Sequence, residues 1–297
     1  MGQVIQGDCL KILPTLPPQS VDLVFGSPPY EDARTYGIDF NLKGQAWVDW
    51  MVMVYRESLR VSRGLVAFVV EGRTRRFSWS GTPALLMADL IRAGITLRKP
   101  PIYERDGIPG SGGPDWWKNR YEFIVCATNG GRLPWSDNTA MGHPCLYDTG
   151  GACSNRTREG ARIRGDKNLV GAMRKTQTRR KPDGSRPRDG LYARPEIANP
   201  GNIINCGAGG GGNIGSKLAH ENESPFPEKL AEFFVRSFCP PGGVVLDPFG
   251  GSGTTAAVAE KHGRRWITID VRESQIDLIH RRIAEVRPPR LTMPTIQ

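Results

Sequence analysis

Val244-Val245-Leu246-Asp247-Pro248-Phe249-Gly250-Gly251-Ser252-Gly253-Thr254-Thr255 is the stretch on which the fold turns. Its apolar residues read as a buried strand that Asp247 closes. The glycines make a tight turn, and Thr254 opens a helix that runs to Lys261. Glycine lets a ligand come close to the backbone, and amides at a helix start favour a carboxylate or phosphate. No lysine precedes the Ser/Thr, so the turn is not a P-loop, and it does not read GxGxxG. The next strand, Arg265 to Asp270, ends seventeen residues after Gly253 in an acid. At the carboxyl edge of a sheet that acid is placed to accept hydrogen bonds from ribose hydroxyls. A glycine turn alone reads most simply as structural. Joined to Asp270, it fits an adenosine-type ligand.

Working outward, Pro227 to Phe238 reads as an apolar-faced helix and Ser274 to Val286 as the last one. Towards the N-terminus, Gln3 to Asp8 is a short strand ending in Gly7-Asp8, and a short helix stops at Pro14, Pro17 and Pro18. Val21 to Gly26 and Leu65 to Val70 are apolar runs of buried-strand length. Ala46 to Val61 and Pro83 to Ala93 have helical spacing, and Ile95 to Leu97 and Tyr121 to Ala127 read as further strands. Strands alternating with helices predict an α/β fold, a mainly parallel sheet covered by helices on both faces.

From Asn129 to about Ile197 the pattern fails, and Gly, Pro, Arg and Asn dominate. This irregular stretch carries the charge. The chain of 297 residues has a net charge of +10, and Arg156 to Arg194 holds thirteen Arg/Lys against four acids, a net +9. Such a block repels itself unless a polyanion neutralises it, and nucleic acid is the usual polyanion; a solvated loop is the plainer reading. Arg179, Arg180 and Lys181 are its densest run and the candidate DNA contacts.

The six scattered cysteines form no CxxC pair, which predicts reduced thiols. His143, Cys145 and Cys153 invite a zinc site, but the spacing fits no standard one and no metal is expected. No eighteen-residue uncharged apolar stretch exists, so neither a membrane partner nor a membrane span is expected. The N-terminus lacks a signal-peptide core, and a cytoplasmic location follows as an expectation.

Ser27-Pro28-Pro29-Tyr30 follows directly on a buried strand. Two prolines fix the backbone and leave carbonyl oxygens without neighbouring N–H groups, between a hydroxyl and an aromatic face. By itself this is also what a Pro-rich turn ending a strand looks like.

Together, SPPY and DPFGGSGTT, in their strand contexts and order, resemble the DNA amino-methyltransferases. The resemblance covers about residues 3 to 127 and 217 to 286. It implies a Rossmann-like methyltransferase fold, with S-adenosyl-L-methionine as cofactor and double-stranded DNA as partner. SPPY near the N-terminus and the glycine loop near the C-terminus look like the circularly permuted beta class. In that class a target-recognition region lies between the halves. The domains would then be 1–130 (catalytic part), 131–216 (basic target-recognition insertion) and 217–297 (cofactor-binding part). The resemblance implies catalytic roles for Ser27, Pro28, Pro29 and Tyr30. It implies cofactor contacts from Asp8, Phe226, Pro227, Lys229, Asp247, Phe249, Gly250, Gly251, Ser252, Gly253, Thr254 and Asp270. It leaves room for a homodimer and for a restriction endonuclease partner, in a bacterial or phage-encoded setting.

The chemistry suits these residues. An exocyclic amino nitrogen is a poor nucleophile because its lone pair is delocalised into the ring. Hydrogen bonds from that amino group to the Ser27 side chain and the Pro28 carbonyl would orient it, with no covalent protein nucleophile. The base must leave the duplex to reach the pocket, where Tyr30 would stack on it. Ser at the first tetrapeptide position leans toward cytosine N4, with adenine N6 the alternative and an RNA or protein-amide substrate a second. A C5-cytosine mechanism would need a Pro-Cys nucleophile. Pro144-Cys145 lies in the irregular insertion with no strand expected before it, which argues against that chemistry.

Overall fold

The computed structural model describes residues 2–31, 40–105, 113–145, 195–207 and 215–287. They fall into two compact units, Met1–Ala140 with Gly201–Gln297, and Met141–Pro200.

The first unit is built on a nine-stranded sheet. In chain order its strands are β1 (Gly2–Gln6), β2 (Val21–Gly26), β3 (Ser62–Val70), β6 (Thr96–Arg98), β7 (Ile102–Glu104), β8 (Tyr121–Thr128), β11 (Ile203–Asn205), β12 (Val244–Asp247) and β13 (Arg265–Asp270). A separate hairpin is formed by β4 (Thr74–Arg75) and β5 (Ser78–Trp79). Spatially the order is β1-β13-β12-β2-β3-β8-β7-β11, with β6 also on β8. From β1 to β3 every pairing is parallel; β8 runs against β3, β6 and β7, and β11 is parallel to β7. The expected mainly parallel sheet is therefore present, and the fold is Rossmann-like.

Among the described residues six α-helices accompany it: α1 (Cys9–Ile12), α2 (Gly44–Val61), α3 (Thr82–Arg92), α4 (Glu228–Phe238), α5 (Thr254–Lys261) and α6 (Glu273–Val286). Successive strand residues point to opposite faces, so a continuous apolar strand must be covered twice. On β3, Leu65, Ala67 and Val69 pack with Leu230, Phe234 and Val235 of α4. Val66, Phe68 and Val70 pack with Trp47, Met51 and Tyr55 of α2 and with Leu86 and Leu90 of α3. The Tyr55 hydroxyl, buried in that second layer, donates to the Val125 carbonyl at 2.8 Å.

Within the first unit, three strand pieces were not read from the sequence: the β4–β5 hairpin, β7 and β11. Strand β11 lies inside the stretch 131–216 assigned to the insertion, yet Ile203 pairs with Ile102 in the main sheet. It is three residues long and its partner lies about a hundred residues away, so no local periodicity announces it. The second unit, described at 141–145 and 195–200, contains β9 (His143–Pro144) and β10 (Ile197–Ala198), paired antiparallel. Cys145 thus does follow a strand, one of two residues, contrary to expectation. Among the described residues no helix is long and apolar enough to cross a membrane.

The parallel strands β1, β13, β12, β2 and β3 all end along one edge of the sheet. Strand β7 ends there too, being parallel to β3 through β8. Ligands in open α/β sheets bind outside these carboxyl ends.

Candidate active site

A cleft of about 1870 Å3 opens along that edge. One end is lined by Asp8, Phe226, Phe249, Gly250, Gly251, Ser252, Thr254 and Asp270; the other by Ser27, Pro28, Pro29, Tyr30, Glu71 and Glu122. The two sequence motifs are therefore brought to one cavity.

At the glycine end, β13 and the loop are tied together. The Asp270 carboxylate accepts from the Gly251 amide at 2.8 Å on Oδ2 and from the Arg272 amide at 2.9 Å on Oδ1. Gly250 donates to the Ile269 carbonyl at 2.7 Å, and Gly7 donates to the Asp270 carbonyl at 2.9 Å. Gly251 and Gly253 have φ of 50° and 74°, where a side chain would strain the backbone. Burial raises the pKa of Asp270, against its two amide bonds. Asp8 caps α1, accepting from the Leu10 amide at 2.8 Å. Phe226 stands edge-on to Phe25 with centroids 5.7 Å apart.

Several expected contacts sit elsewhere. Asp247 is buried behind the wall, where its Oδ1 accepts from the Phe249 amide at 2.9 Å. Burial, with a smaller push from Asp270, raises its pKa to about 7. Gly253 is the N-cap of α5, Pro227 is the buried N-cap of α4, and Lys229 is exposed on the first turn of α4. None of these four is among the lining residues.

The sequence reading missed Arg282. It is fully buried and donates to the Ser252 carbonyl at 3.1 Å, to the Thr254 hydroxyl at 2.8 Å and to Glu228 at 2.8 Å. It clamps the glycine loop from behind. An arginine on a helix gives no local sign that it points inward.

At the other end, the Tyr30 hydroxyl donates to Glu122 Oε2 at 2.8 Å, and the Ser27 hydroxyl lies 3.4 Å from that of Tyr30. Arg105 pairs with Glu122 Oε1 at 2.7 Å. Burial pushes the Glu122 pKa up, while Arg105 and Tyr30 hold it down. Glu71, the residue after β3, accepts on Oε1 from its own neighbour Gly72 at 2.9 Å and from Trp79 Nε1 at 3.1 Å. Among the described residues its buried Oε2 has no hydrogen-bond partner, and burial raises its pKa to about 7. Glu71 was legible by the rule that singled out Asp270, an acid just after a parallel strand. Trp47 Nε1 donates to the Pro29 carbonyl at 2.9 Å and fixes the Pro-Pro turn against α2. Behind Tyr30, buried Glu31 accepts from the Gly44 amide at 2.9 Å and from the Thr82 hydroxyl at 3.0 Å.

The rim is aromatic. Phe77, Trp79, Trp116, Trp117 and Tyr121 line the cleft yet stay exposed, Phe77 to 82% and Trp117 to 81%. The tryptophans are thus not packed inside, the usual fate of such residues.

The N6_N4_Mtase family, described as DNA methylase, matches residues 21–281. The chain belongs to this family. It is 30% identical over 272 residues to the orphan methyltransferase M.BamHII of Bacillus amyloliquefaciens, covering 89% of each chain. To the type II methyltransferase M.PvuII of Proteus hauseri it is 24% identical, covering 93% of this chain and 81% of that one. To the DNA adenine methyltransferase YhdJ of Escherichia coli K12 it is 25% identical, covering 94% and 82%. The solved PvuII DNA methyltransferase, described as cytosine-N4-specific, superposes with a TM-score of 0.65 at 19% identity, over 96% of this chain and 90% of that one. TTHA0409 from Thermus thermophilus, solved with S-adenosyl-L-methionine, gives 0.58 at 24% identity over 97% of each. Both likenesses are of fold.

For this methyltransferase, the candidate DNA contacts Arg179, Arg180 and Lys181 lie outside the described residues, as does Cys153. Among the described residues no group of three or more His, Cys, Asp or Glu is arranged to hold a metal ion.

Proposed function

We propose that this DNA methyltransferase uses S-adenosyl-L-methionine to methylate the exocyclic N4 of cytosine in double-stranded DNA, by direct transfer after the base has left the duplex. The observation that carries the reading is a hydroxyl, Ser27, at the head of the acceptor tetrapeptide, in one cleft with the glycine loop. The solved relative with a cytosine-N4 description supports it.

The glycine end fits the cofactor. A carboxylate offers about four lone-pair sites, and Asp270 uses one on each oxygen for backbone amides, leaving acceptors for two ribose hydroxyls. Asp8, Phe226 and the Gly250–Ser252 backbone complete that half. S-adenosyl-L-methionine supplies there an electrophilic methyl group on a sulfonium. At the other end the Pro29 carbonyl is taken by Trp47, so the tetrapeptide presents the Pro28 carbonyl and the Ser27 hydroxyl to an amino group. Both accept hydrogen bonds, which hold the amine in place and turn its lone pair out of the ring plane. Tyr30, anchored by Glu122, offers its ring to the extruded base. Positioning and fixed dipoles supply the catalysis.

Adenine N6 is the second reading, favoured by the likeness to YhdJ. The motif order is that of the permuted beta class, with the target-recognition region inside 131–216, between 1–130 and 217–297, and β11 of that stretch left to the main sheet. The Arg179–Lys181 run then serves phosphates, in the cytoplasm, with or without a second copy or a restriction endonuclease partner. The test is methylation of unmodified plasmid DNA, then nucleoside mass spectrometry and modification-aware sequencing. N4-methylcytosine is expected; N6-methyladenine in its place overturns the choice of base.

A further inference from the structure

We propose that the β4–β5 hairpin is a wedge whose Phe77 enters the duplex at the step that the target base leaves, with Arg75 and Arg76 on the flanking phosphates. The proposal rests on the DNA-methylating reading above.

The turn itself points to a ligand. Thr74 pairs with Trp79 and Arg75 with Ser78, leaving a two-residue loop of Arg76 and Phe77. Both have positive φ, 48° and 63°. A hairpin turn of this hand ordinarily takes Asn-Gly, because side chains crowd the backbone there. Placing arginine and phenylalanine at both positions works against local stability, and such strain gathers at functional sites. Phe77 gains nothing by burial: it is 82% exposed, at the mouth of the active-site cleft.

The base of the hairpin, in contrast, is fixed. Trp79 Nε1 bonds Glu71 at 3.1 Å; Arg73 and Ser80 exchange bonds of 3.0 Å (Arg73 amide to Ser80 hydroxyl) and 2.9 Å (Ser80 amide to Arg73 carbonyl). Thr82, two residues on, bonds Glu31, which adjoins Tyr30. An exposed ring is thus held at a set position relative to the acceptor tetrapeptide. The cations beside it suit nucleic acid. An apolar side chain pushed between base steps unstacks them, and a phenyl ring stacks on any base. Filling the gap from which a base is extruded offsets the lost stacking.

The test begins by mapping the wild-type methylation site. Duplexes are then made with 2-aminopurine beside the target base, and with the target opposite an abasic position. Phe77→Gly is the variant, since glycine suits the second turn position and keeps the hairpin. Wild type should raise 2-aminopurine fluorescence on binding, and Phe77→Gly should lose most of that rise. Its kcat/KM on the matched duplex should fall about tenfold or more, and much less opposite the abasic position. Phe77→Trp should restore both readouts. Equal losses on the two duplexes, or wild-type behaviour of Phe77→Gly, overturn the wedge while methylation stands. Loss seen only in Trp117→Ala would move the wedge to the other rim and overturn this assignment. No methyl transfer from wild type to any DNA overturns the DNA reading and the wedge together.

Discussion

Gly251 and Asp270 are joined by a 2.8 Å hydrogen bond from amide to carboxylate, nineteen residues apart in sequence and adjacent in the cleft. The same carboxylate holds the Arg272 amide. Asp270 therefore shapes the loop and, on the proposed function, would also meet the cofactor. Asp270→Ala should weaken S-adenosyl-L-methionine binding by about 1–3 kcal/mol, through unpaired hydroxyls and a loosened loop. Calorimetry showing wild-type affinity in a folded variant would remove Asp270 from the site.

Tyr30 serves as an anchored ring. Tyr30→Phe loses the bond to Glu122, which keeps Arg105, and should cost about 1 kcal/mol of stability with the ring retained. Tyr30→Ala should lower turnover on a matched duplex more than on one whose target base is mispaired, because a mispaired base is easier to extrude. Steady-state rates on both duplexes decide it; equal losses would deny the stacking role.

Asp247 should make stability fall as pH rises. Its pKa moves from 3.8 to about 7 on folding, chiefly through burial. Between those values the folded chain holds a proton that the unfolded chain has released. The stabilisation is complete below about pH 4 and lost progressively up to about pH 7, at about 1 kcal/mol per pH unit. Asp247→Asn removes this contribution and keeps an oxygen for the Phe249 amide. Urea unfolding at pH 5, 6, 7 and 8 should show the variant gaining on wild type as pH rises. A difference constant with pH would mean that the group ionises alike in both states.

The basic segment predicts a salt response. If some of its thirteen cations meet phosphates, log affinity for DNA should fall with log salt at a slope of about −4 to −7. Replacing Arg179, Arg180 and Lys181 together with Ala should flatten that slope and weaken binding to all sequences alike, leaving cofactor affinity unchanged. Fluorescence anisotropy of labelled duplexes at several salt concentrations measures it. An unchanged slope would make these residues solvated loop.

The sequence by itself determined the long parallel strands of the sheet and the motifs at both ends of the cleft. Continuous apolar runs such as Val21–Gly26 and Val244–Asp247 are buried from both faces, and glycine or proline marks where each strand stops, so local chemistry sufficed. Ser27-Pro28-Pro29-Tyr30 follows from such an ending, and Asp270 from the acid that closes its own strand. Only the tertiary structure decided which polar groups face inward. Arg282 and Glu122 carry charges that a helix or strand usually turns to water, and their burial depends on partners distant in the chain. It likewise decided that Asp247 lies behind the wall and Lys229 away from it, since a motif gives order along the chain and not depth. Strand β11 and the β4–β5 hairpin were illegible for a related reason. Each is too short to show a period; β11 is held by a partner strand about a hundred residues away, and the hairpin by Trp79 against Glu71 and Phe123.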